Sequence, residues 1–592
     1  MESPKQQIIS NLKKVIKDLT GLDLTPKLSH PLDERHGDYT TNIAMVLFKD
    51  KRLRINDKGY KTPLELAQEI TKKLNNSSLI INHYSRIEAV TPGFINFWLS
   101  KDYLSTRMIR IIREKEEYGR SNTLKNKKIM IEFTDPNPFK EFHIGHLYNN
   151  TVGESICRLL ESQKALVWRV CYQGDVGLHV AKTIYGVLRL CHAEQVQDDN
   201  LSNRIKFLGQ AYALGVKAYE ENESAKKEIE RINKEIYEEN PTIMDIYKKG
   251  REWSLEYFDS IYKRLGTKFK RFYFESEAAR IGPEVVKKNI DKVFKKSDGA
   301  IIFPGEKYGL HNRVFINSLG LPTYEAKDLG LAPTKYKDFP YDLSIIITAS
   351  EQSDYFKVVL KALSLIEPEL ARKTKHISHG VVRLPIGKMS SRTGTIITGE
   401  WLLDEAKSRI QKNYKEMDEE TSEKVAVGAV KYALLKSGIG RDIVFNFKES
   451  ISLEGNSGPY LQYTFARTQS IFRKASTSVM PNLFRHLASF KKEILKRVQD
   501  DKNSIGPEEL SILRALHRFP EVVAEAAEKF APNIICNYLF DLAQKFNLFY
   551  QKLPIINPHK GVQSFRLALT TAVGQVIKNG LSFLGIESPQ RM

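Results

Sequence analysis

Cysteine is scarce in this chain of 592 residues: Cys157, Cys171, Cys191 and Cys536 stand far apart, with no C-x-x-C pair. That spacing argues against a zinc knuckle and a disulfide scaffold, and it fits a reducing compartment such as the cytoplasm. Long apolar runs are missing too, since none approaches the roughly 18 residues that a membrane-spanning helix needs. The opening MESPKQQIISNLKKVIKDL sets apolar positions at helical spacing among charges, which reads as an amphipathic helix and not as a secretory signal. Acidic residues are in deficit: 71 Asp and Glu against 91 Lys and Arg leave a formal charge of +20. An excess of that size suits a polyanion held by many salt-sensitive contacts, although a basic surface can also serve solubility alone. Internal repeats and long low-complexity tracts are absent as well.

What is present is ordinary for a soluble globular protein, with 41% hydrophobic and 27% charged residues. A chain of this length is expected to form about two to four domains. The first 118 residues mix an amphipathic helix with strand-like stretches such as ERHGDYTTNIAM and RIEAVTPGFINFWLS, and the polar EKEEYGRSNTLKNKK then serves as a linker. KIMIEFT (128–134), a helix over about 144–162 and ALVWRVCY (165–172) make a β-α-β unit with a parallel sheet. Residues 190–275 are charged and helical in pattern, and read as an insertion. Sheet-like segments resume with GAIIFP, PTYEAKDLGLA and DLSIIITAS. From about 400 onward the pattern is helical almost throughout.

Two stretches point to chemistry. In DPNPFKEFHIGHLYNN (135–150), His143 and His146 fall three apart at a helix start that follows a strand. In a doubly wound sheet that is where helix N-termini present free N–H groups to ligands. Gly145 admits a flat group close to the backbone, the imidazoles can donate to triphosphate oxygens, and Lys140 adds a charge. Taken alone, H-x-x-H also fits a metal pair or half-buried histidines. The second stretch, LPIGKMSSRTGTI (384–396), is a loop between Gly387 and Gly394 carrying Lys388 and Arg392, suited to a leaving pyrophosphate or, in isolation, to a solvated turn. Together, in this order and separation, the two are specific.

FHIGHL and KMSSR resemble the HIGH and KMSKS signatures of class I aminoacyl-tRNA synthetases. IEFTDPNPFKEFHIGHL, PTYEAKDLG, TASEQSDYFK, GNSGPYLQYTFAR and LGIESPQRM resemble arginyl-tRNA synthetase, as do HGDYTTNIAM and TPGFINFWLS near the N-terminus, so the likeness runs through nearly the whole chain. It implies an α/β fold: a doubly wound parallel, Rossmann-like catalytic sheet over 119–399 with the helical insertion at about 190–275. A mixed α/β tRNA-binding domain over 1–118 and an all-α anticodon-binding domain over 400–592 flank it. The implied reaction is ATP-dependent ligation of L-arginine to tRNA(Arg) through arginyl-adenylate, with transfer first to the 2′-hydroxyl of the terminal adenosine and activation that needs bound tRNA. ATP enters with Mg²⁺ held mostly through its phosphates. No zinc or other protein-held metal is expected, and the chain is expected to act as a cytoplasmic monomer.

By the same resemblance, Glu132, Asn137, Tyr324, Asp328 and Gln352 match the positions that hold arginine. Its planar cation with five donors asks for carboxylates and acceptors in a fork, so Glu132 and Asp328 are expected to face the guanidinium and Asn137 the backbone end. Lysine lacks the fork and fails there without an editing domain. The nucleotide residues are Phe142, His143, Gly145, His146, Lys388, Met389 and Ser390, with His143, His146, Lys140 and Lys388 as the catalytic set. Ser391 stands where the class signature has its second lysine, and Lys140, three residues before the tetrad, is expected to compensate, so that Lys140→Ala lowers activation more than Arg392→Ala. In YQGDVGLH the family more often carries tryptophan where Val176 stands, which leaves the roles of Asp175 and His179 open.

In PYLQYTFARTQSIFRK, Tyr460, Tyr463 and Arg467 recur on one helical face, where aromatics beside arginine can stack anticodon bases; helix core is an equal reading. Tyr460 and Arg467 are the candidate tRNA contacts. Two alternatives remain at this stage: an inactive tRNA-binding relative, which would be expected to lose His143, His146 and Lys388, and another class I synthetase. A cysteine enzyme would want zinc ligands, and a glutamate enzyme would want basic residues where Glu132 and Asp328 stand. A short H-x-G-H nucleotidyltransferase would not carry the long helical C-terminus.

Overall fold

The computed structural model describes residues 4–31, 33–50, 59–76, 83–190, 200–385, 397–475, 505–556 and 560–592. The chain divides into two compact units, one of Met1–Tyr118, Arg467–Pro520 and Asp541–Ile577, the other of Gly119–Ala466, Glu521–Phe540 and Lys578–Met592.

The first unit holds a three-stranded antiparallel sheet ordered Tyr39–Thr41, Phe94–Leu99, Tyr84–Val90, with helices Pro4–Thr20, Pro63–Asn75 and Lys101–Glu114. ERHGDYTTNIAM is thus only briefly a strand: a 3₁₀ turn at Glu34–His36 precedes it, and the helix Ile43–Lys49 follows. The helix Pro63–Asn75 begins as its sequence directs, with Thr62 capping the Glu65 N–H and proline in the first turn.

The second unit is built on five parallel strands. In chain order these are β1 (Lys128–Glu132), β2 (Leu166–Gln173), β3 (Arg271–Phe274), β4 (Leu343–Ala349) and β5 (Thr374–His379), arranged β5-β4-β1-β2-β3. Helix α1 (Ile144–Ser162) links β1 to β2 as expected. Between β2 and β3 come α2 (Leu178–Leu190), α3 (Leu201–Glu221), α4 (Glu223–Tyr237) and α5 (Pro241–Leu265). Helix α5 starts on the Asn240 cap with Pro241 in its first turn and stops at Gly266, which is left-handed at φ 66°. Next come α6 (Glu275–Lys288), α7 (Tyr324–Asp338) and α8 (Ser353–Ile366).

Two expectations are corrected here. The stretch read as an insertion to 275 ends in β3, whose aromatic RFYF joins the parallel sheet as its edge strand. PTYEAKDLGLA is not sheet-like: it is the start of α7, with Thr323 at the N-cap, and Ala326, Leu329 and Leu331 are buried. Its strand-like composition is overridden by burial against the sheet, where Ala326 and Leu329 pack with Met130, Val170, Tyr273 and Val358 in one core.

After β1 the chain moves outward through β2 and β3, then returns to the other side of β1 for β4 and β5. The order therefore reverses between β1 and β4, and the crevice beyond their carboxyl ends is the position where open α/β sheets bind ligands. The C-terminal part is helical, with Gly399–Asn413, Glu419–Leu435, Gly458–Ala475, Pro507–Glu528, Asn533–Lys552 and Lys560–Phe583. Cys157, Cys171 and Cys536 are free and buried. Among the described residues no helix is long and apolar enough to cross a membrane.

Candidate active site

The segment joining β1 to α1 carries three non-glycine residues at positive φ: Thr134 (80°), Asp135 (45°) and Phe139 (68°). Such backbone persists only where its surroundings over-determine it. Here Asn149 Oδ1 accepts the Thr134 N–H at 2.9 Å, Ser254 Oγ accepts the Phe139 N–H at 2.9 Å, and Asp135 Oδ1 accepts the Tyr172 N–H at 2.7 Å. The strained path brings Asn137, Lys140 and the two histidines to the rim of the crevice.

His143 is the N-cap of α1. Its Nδ1 accepts the N–H groups of Gly145 (3.1 Å) and His146 (3.3 Å), while His146 Nδ1 accepts the His143 N–H at 3.3 Å. This is a capping box made by two imidazoles, whose rings stack at 3.5 Å. With both Nδ1 atoms accepting, the protons of the neutral rings sit on Nε2, and each Nε2–H lacks a partner among the described residues. Burial, then the Lys140 charge, pushes the His143 pKa down to about 4; burial, then His143, holds His146 well below the usual imidazole value. At Gly145 a Cβ would meet the His143 imidazole at 2.9 Å, so the missing side chain leaves room for the capping ring. Phe142 is core, with its ring beside Phe258 and Tyr262 and its carbonyl accepting the Gly399 N–H at 2.7 Å. Lys140 lies over the Tyr212 ring, 4.8 Å from its centroid.

Lys388, Met389 and Ser390, with Ser391 and Arg392, lie outside the described residues. The residues that follow return beside the tetrad: the Ile144 N–H donates to the Ile397 carbonyl at 3.0 Å, and His143 bridges Thr398.

The other flank of the crevice is acidic. Glu132, at the end of β1, is buried and accepts from Lys335 of α7 at 2.9 Å. Asp328 stands seven residues before Lys335, two turns away on the same face of α7, and accepts the Tyr355 hydroxyl at 2.5 Å. Burial, opposed by that bond and reinforced by Glu132, pushes its pKa up to about 8. Asn137 and Glu275 both lie against Gly174: a Cβ there would meet Asn137 Oδ1 at 2.4 Å and Glu275 Oε1 at 3.0 Å, so glycine is required. Glu275 accepts from the buried Lys327 at 2.6 Å. Tyr324 is 55% exposed, with Lys327 Nζ 4.9 Å from its ring centroid. Gln352 is exposed in the 3₁₀ turn Ser350–Gln352 that follows β4, and its side chain has no hydrogen-bond partner among the described residues.

Asp175 is a fully buried hub. It accepts from Tyr247 (3.1 Å), Arg251 (3.0 Å), the Ser276 N–H (2.9 Å) and the Ser276 hydroxyl (2.8 Å), tying the end of β2 to α5 and α6. Its carboxylate is saturated by the protein. His179 is buried with Nε2–H donating to the Gly174 carbonyl at 2.8 Å, and burial followed by Lys140 lowers its pKa to about 3. Both residues therefore shape the wall behind Asn137. In the C-terminal part, Tyr460 packs edge-on to Phe540, while Arg467 donates to Asn547 Oδ1 at 2.7 Å and lies over the Tyr550 ring.

Residues 107–447 match the family of class I tRNA synthetases (R), catalytic domain; residues 461–592 match the DALR anticodon binding domain and residues 6–99 the arginyl tRNA synthetase N terminal domain. The chain belongs to the arginyl-tRNA synthetases. It is similar to the arginine–tRNA ligases of Treponema denticola, 32% identical over 543 residues covering 89% of this chain and 90% of the relative, and of Borreliella afzelii, 32% identical over 608 residues covering 97% and 98%. The Thermus thermophilus arginyl-tRNA synthetase structure shares the fold over 100% of both chains, at a TM-score of 0.78 and 22% identity.

In this synthetase, residue-by-residue reasoning missed Lys335, Tyr355, Glu275 and Lys327. Each lies far along the chain from its partner, and a lone Lys or Glu inside a helix gives no signal that its pair is buried. Asp175 had a usable signal, since an acid between glycines at a strand end commonly binds backbone N–H groups.

Proposed function

We propose that the chain esterifies tRNA(Arg) with L-arginine, using ATP and passing through arginyl-adenylate. The observation that carries this is the polarity of the groups at the carboxyl ends of the strands: Nε2–H donors of His143 and His146 at the start of α1, without a partner among the described residues, and the acids Glu132 at the end of β1 and Asp328 on α7. Donors suit phosphate, and acceptors suit a guanidinium.

A carboxylate oxygen of arginine attacks the α-phosphorus of ATP, and the bond to the β-phosphate oxygen breaks to release pyrophosphate. His143, His146 and Lys140, with Lys388, stabilise the charge that builds on the phosphates, and Gly145, Met389 and Ser390 line the nucleotide. Positioning and electrostatics do this work, with no covalent enzyme intermediate. The 2′-hydroxyl of the terminal adenosine then attacks the adenylate carbonyl, AMP leaves, and arginine is carried as the ester. Asp328 takes the guanidinium, with Glu132 and its Lys335 behind it; Tyr324 covers the side chain, and Asn137 and Gln352 hold the amino-acid backbone. Mg²⁺ enters with ATP as part of the substrate, held mostly through the phosphates.

Residues 1–118 and 400–592 bind the tRNA outside the catalytic region 119–399, with Tyr460 and Arg467 on the anticodon side. The protein works as a cytoplasmic monomer, and activation waits for tRNA. ATP–pyrophosphate exchange with each of the twenty amino acids, with and without tRNA, tests this: exchange is expected with arginine alone and only when tRNA is added. Exchange with another amino acid would overturn the pocket assignment, and retention of tRNA without any exchange would favour a binding-only relative.

A further inference from the structure

One polar atom on the acidic flank is left over. Tyr172 is the penultimate residue of β2, and while its N–H is bound by Asp135, its hydroxyl oxygen is buried with no hydrogen-bond partner among the described residues. Leaving a phenol in that condition costs free energy in the unliganded protein. The sheet register fixes where the side chain lies. Glu132 pairs with Val170, and Tyr172, two residues further along β2, shares its face of the sheet. On that face the Tyr172 ring packs against the core that includes Val170 and the α7 residues Ala326 and Leu329. Leu329 is the neighbour of Asp328. Burial does most to raise the pKa of this hydroxyl, and the negative charges of Asp328, Glu275, Glu132 and Asp175 add to it, in that order. Three of these already accept from Tyr355, Lys327 and Lys335, and the fourth is saturated. The hydroxyl is bonded to none of these acids, so it keeps a lone pair to offer a cation that brings N–H donors.

We propose that the Tyr172 hydroxyl is a binding contact for the guanidinium of L-arginine: its oxygen accepts a guanidinium N–H while its proton goes to the facing Asp328 carboxylate. This rests on the arginine reading above and deepens it. The contact closes only when substrate enters, so the hydroxyl that is unsatisfied in the free protein becomes satisfied in the complex. A lysine side chain, with a single point of charge, cannot reach Asp328 and Tyr172 with separate donors of one planar group.

Tyr172→Phe removes one oxygen and keeps the ring. The expected result, in tRNA-supported ATP–pyrophosphate exchange, is an arginine KM raised about tenfold to a hundredfold with the ATP KM within about twofold of wild type. Thermal melts supply the second readout: the variant without ligand melts at or above wild type, because an unsatisfied buried group has been deleted, while the upward shift produced by saturating arginine shrinks. An unchanged arginine KM and an unchanged arginine shift would assign the hydroxyl to the core and overturn the proposal. A lower melting temperature without ligand would also overturn it, since the hydroxyl would then have a partner inside the protein. Wild-type protein that neither exchanges with arginine nor is stabilised by it would overturn the arginine reading itself, and this contact with it.

Discussion

On the α1 flank of the crevice, His143 and His146 bind each other's backbone and stay neutral; on the α7 flank, the buried Glu132 and Glu275 and the half-buried Asp328 lean on Lys335, Lys327 and Tyr355 from elsewhere in the chain. The first flank is completed by four consecutive residues and is ready as soon as the helix forms. The second is assembled from four elements and holds an excess of acceptors. The contrast separates two ways of preparing for charge: offering neutral donors to an anion, which adds little strain, and concentrating acid where a cation will sit, which costs stability until the cation arrives.

The largest effect that would break this contrast comes from the buried pair. Lys335→Met leaves the Glu132 carboxylate uncompensated and is expected to lower stability by about 3–5 kcal/mol, read as a fall in the urea midpoint. Next is Asp328→Asn, which keeps the shape and removes the charge; the loss in kcat/KM for arginine is expected to be roughly 10- to 150-fold, with the ATP KM unchanged, in pyrophosphate exchange.

A pH profile sharpens the same point. With its pKa raised to about 8, mainly by burial, Asp328 is largely protonated at neutral pH, and a guanidinium needs it ionised. Arginine binding therefore strengthens as pH rises through 8, and the arginine KM is expected to fall by up to roughly tenfold between about pH 7 and 9. Asp328→Asn flattens that profile. The α1 histidines contribute nothing to it, because burial keeps both neutral across the range. The smallest effect lies on their side: His143→Ala removes the cap and is expected to cost about 0.5–2 kcal/mol of stability, by thermal melt.

The same contrast explains what could be read from the sequence. The start of α1 was legible because cap, glycine and helix are adjacent residues, and the parallel β-α-β unit was legible from two apolar runs at the expected distance. β3 was hidden because a four-residue aromatic strand directly follows a charged helical stretch, and α7 was hidden because Tyr, Thr and Leu-Gly-Leu mimic strand composition. Asp328 was singled out through its motif, whereas its neighbours Tyr355 and Lys335, and the leftover hydroxyl of Tyr172, follow only from packing. The Gly174 requirement likewise exists only because Asn137 and Glu275 meet there, 138 positions apart (137 and 275).

Asp175 has a consequence for how this molecule comes into being. Its partners Tyr247, Arg251 and Ser276 lie 72, 76 and 101 residues downstream. During synthesis the carboxylate leaves the ribosome well before any of them exists, so β2 emerges with a charge that nothing can yet neutralise. The wall behind the acidic flank can close only after the whole helical excursion has been translated and has folded back. A chain cut short anywhere before Ser276 would carry the complete H-x-G-H signature and still lack the wall.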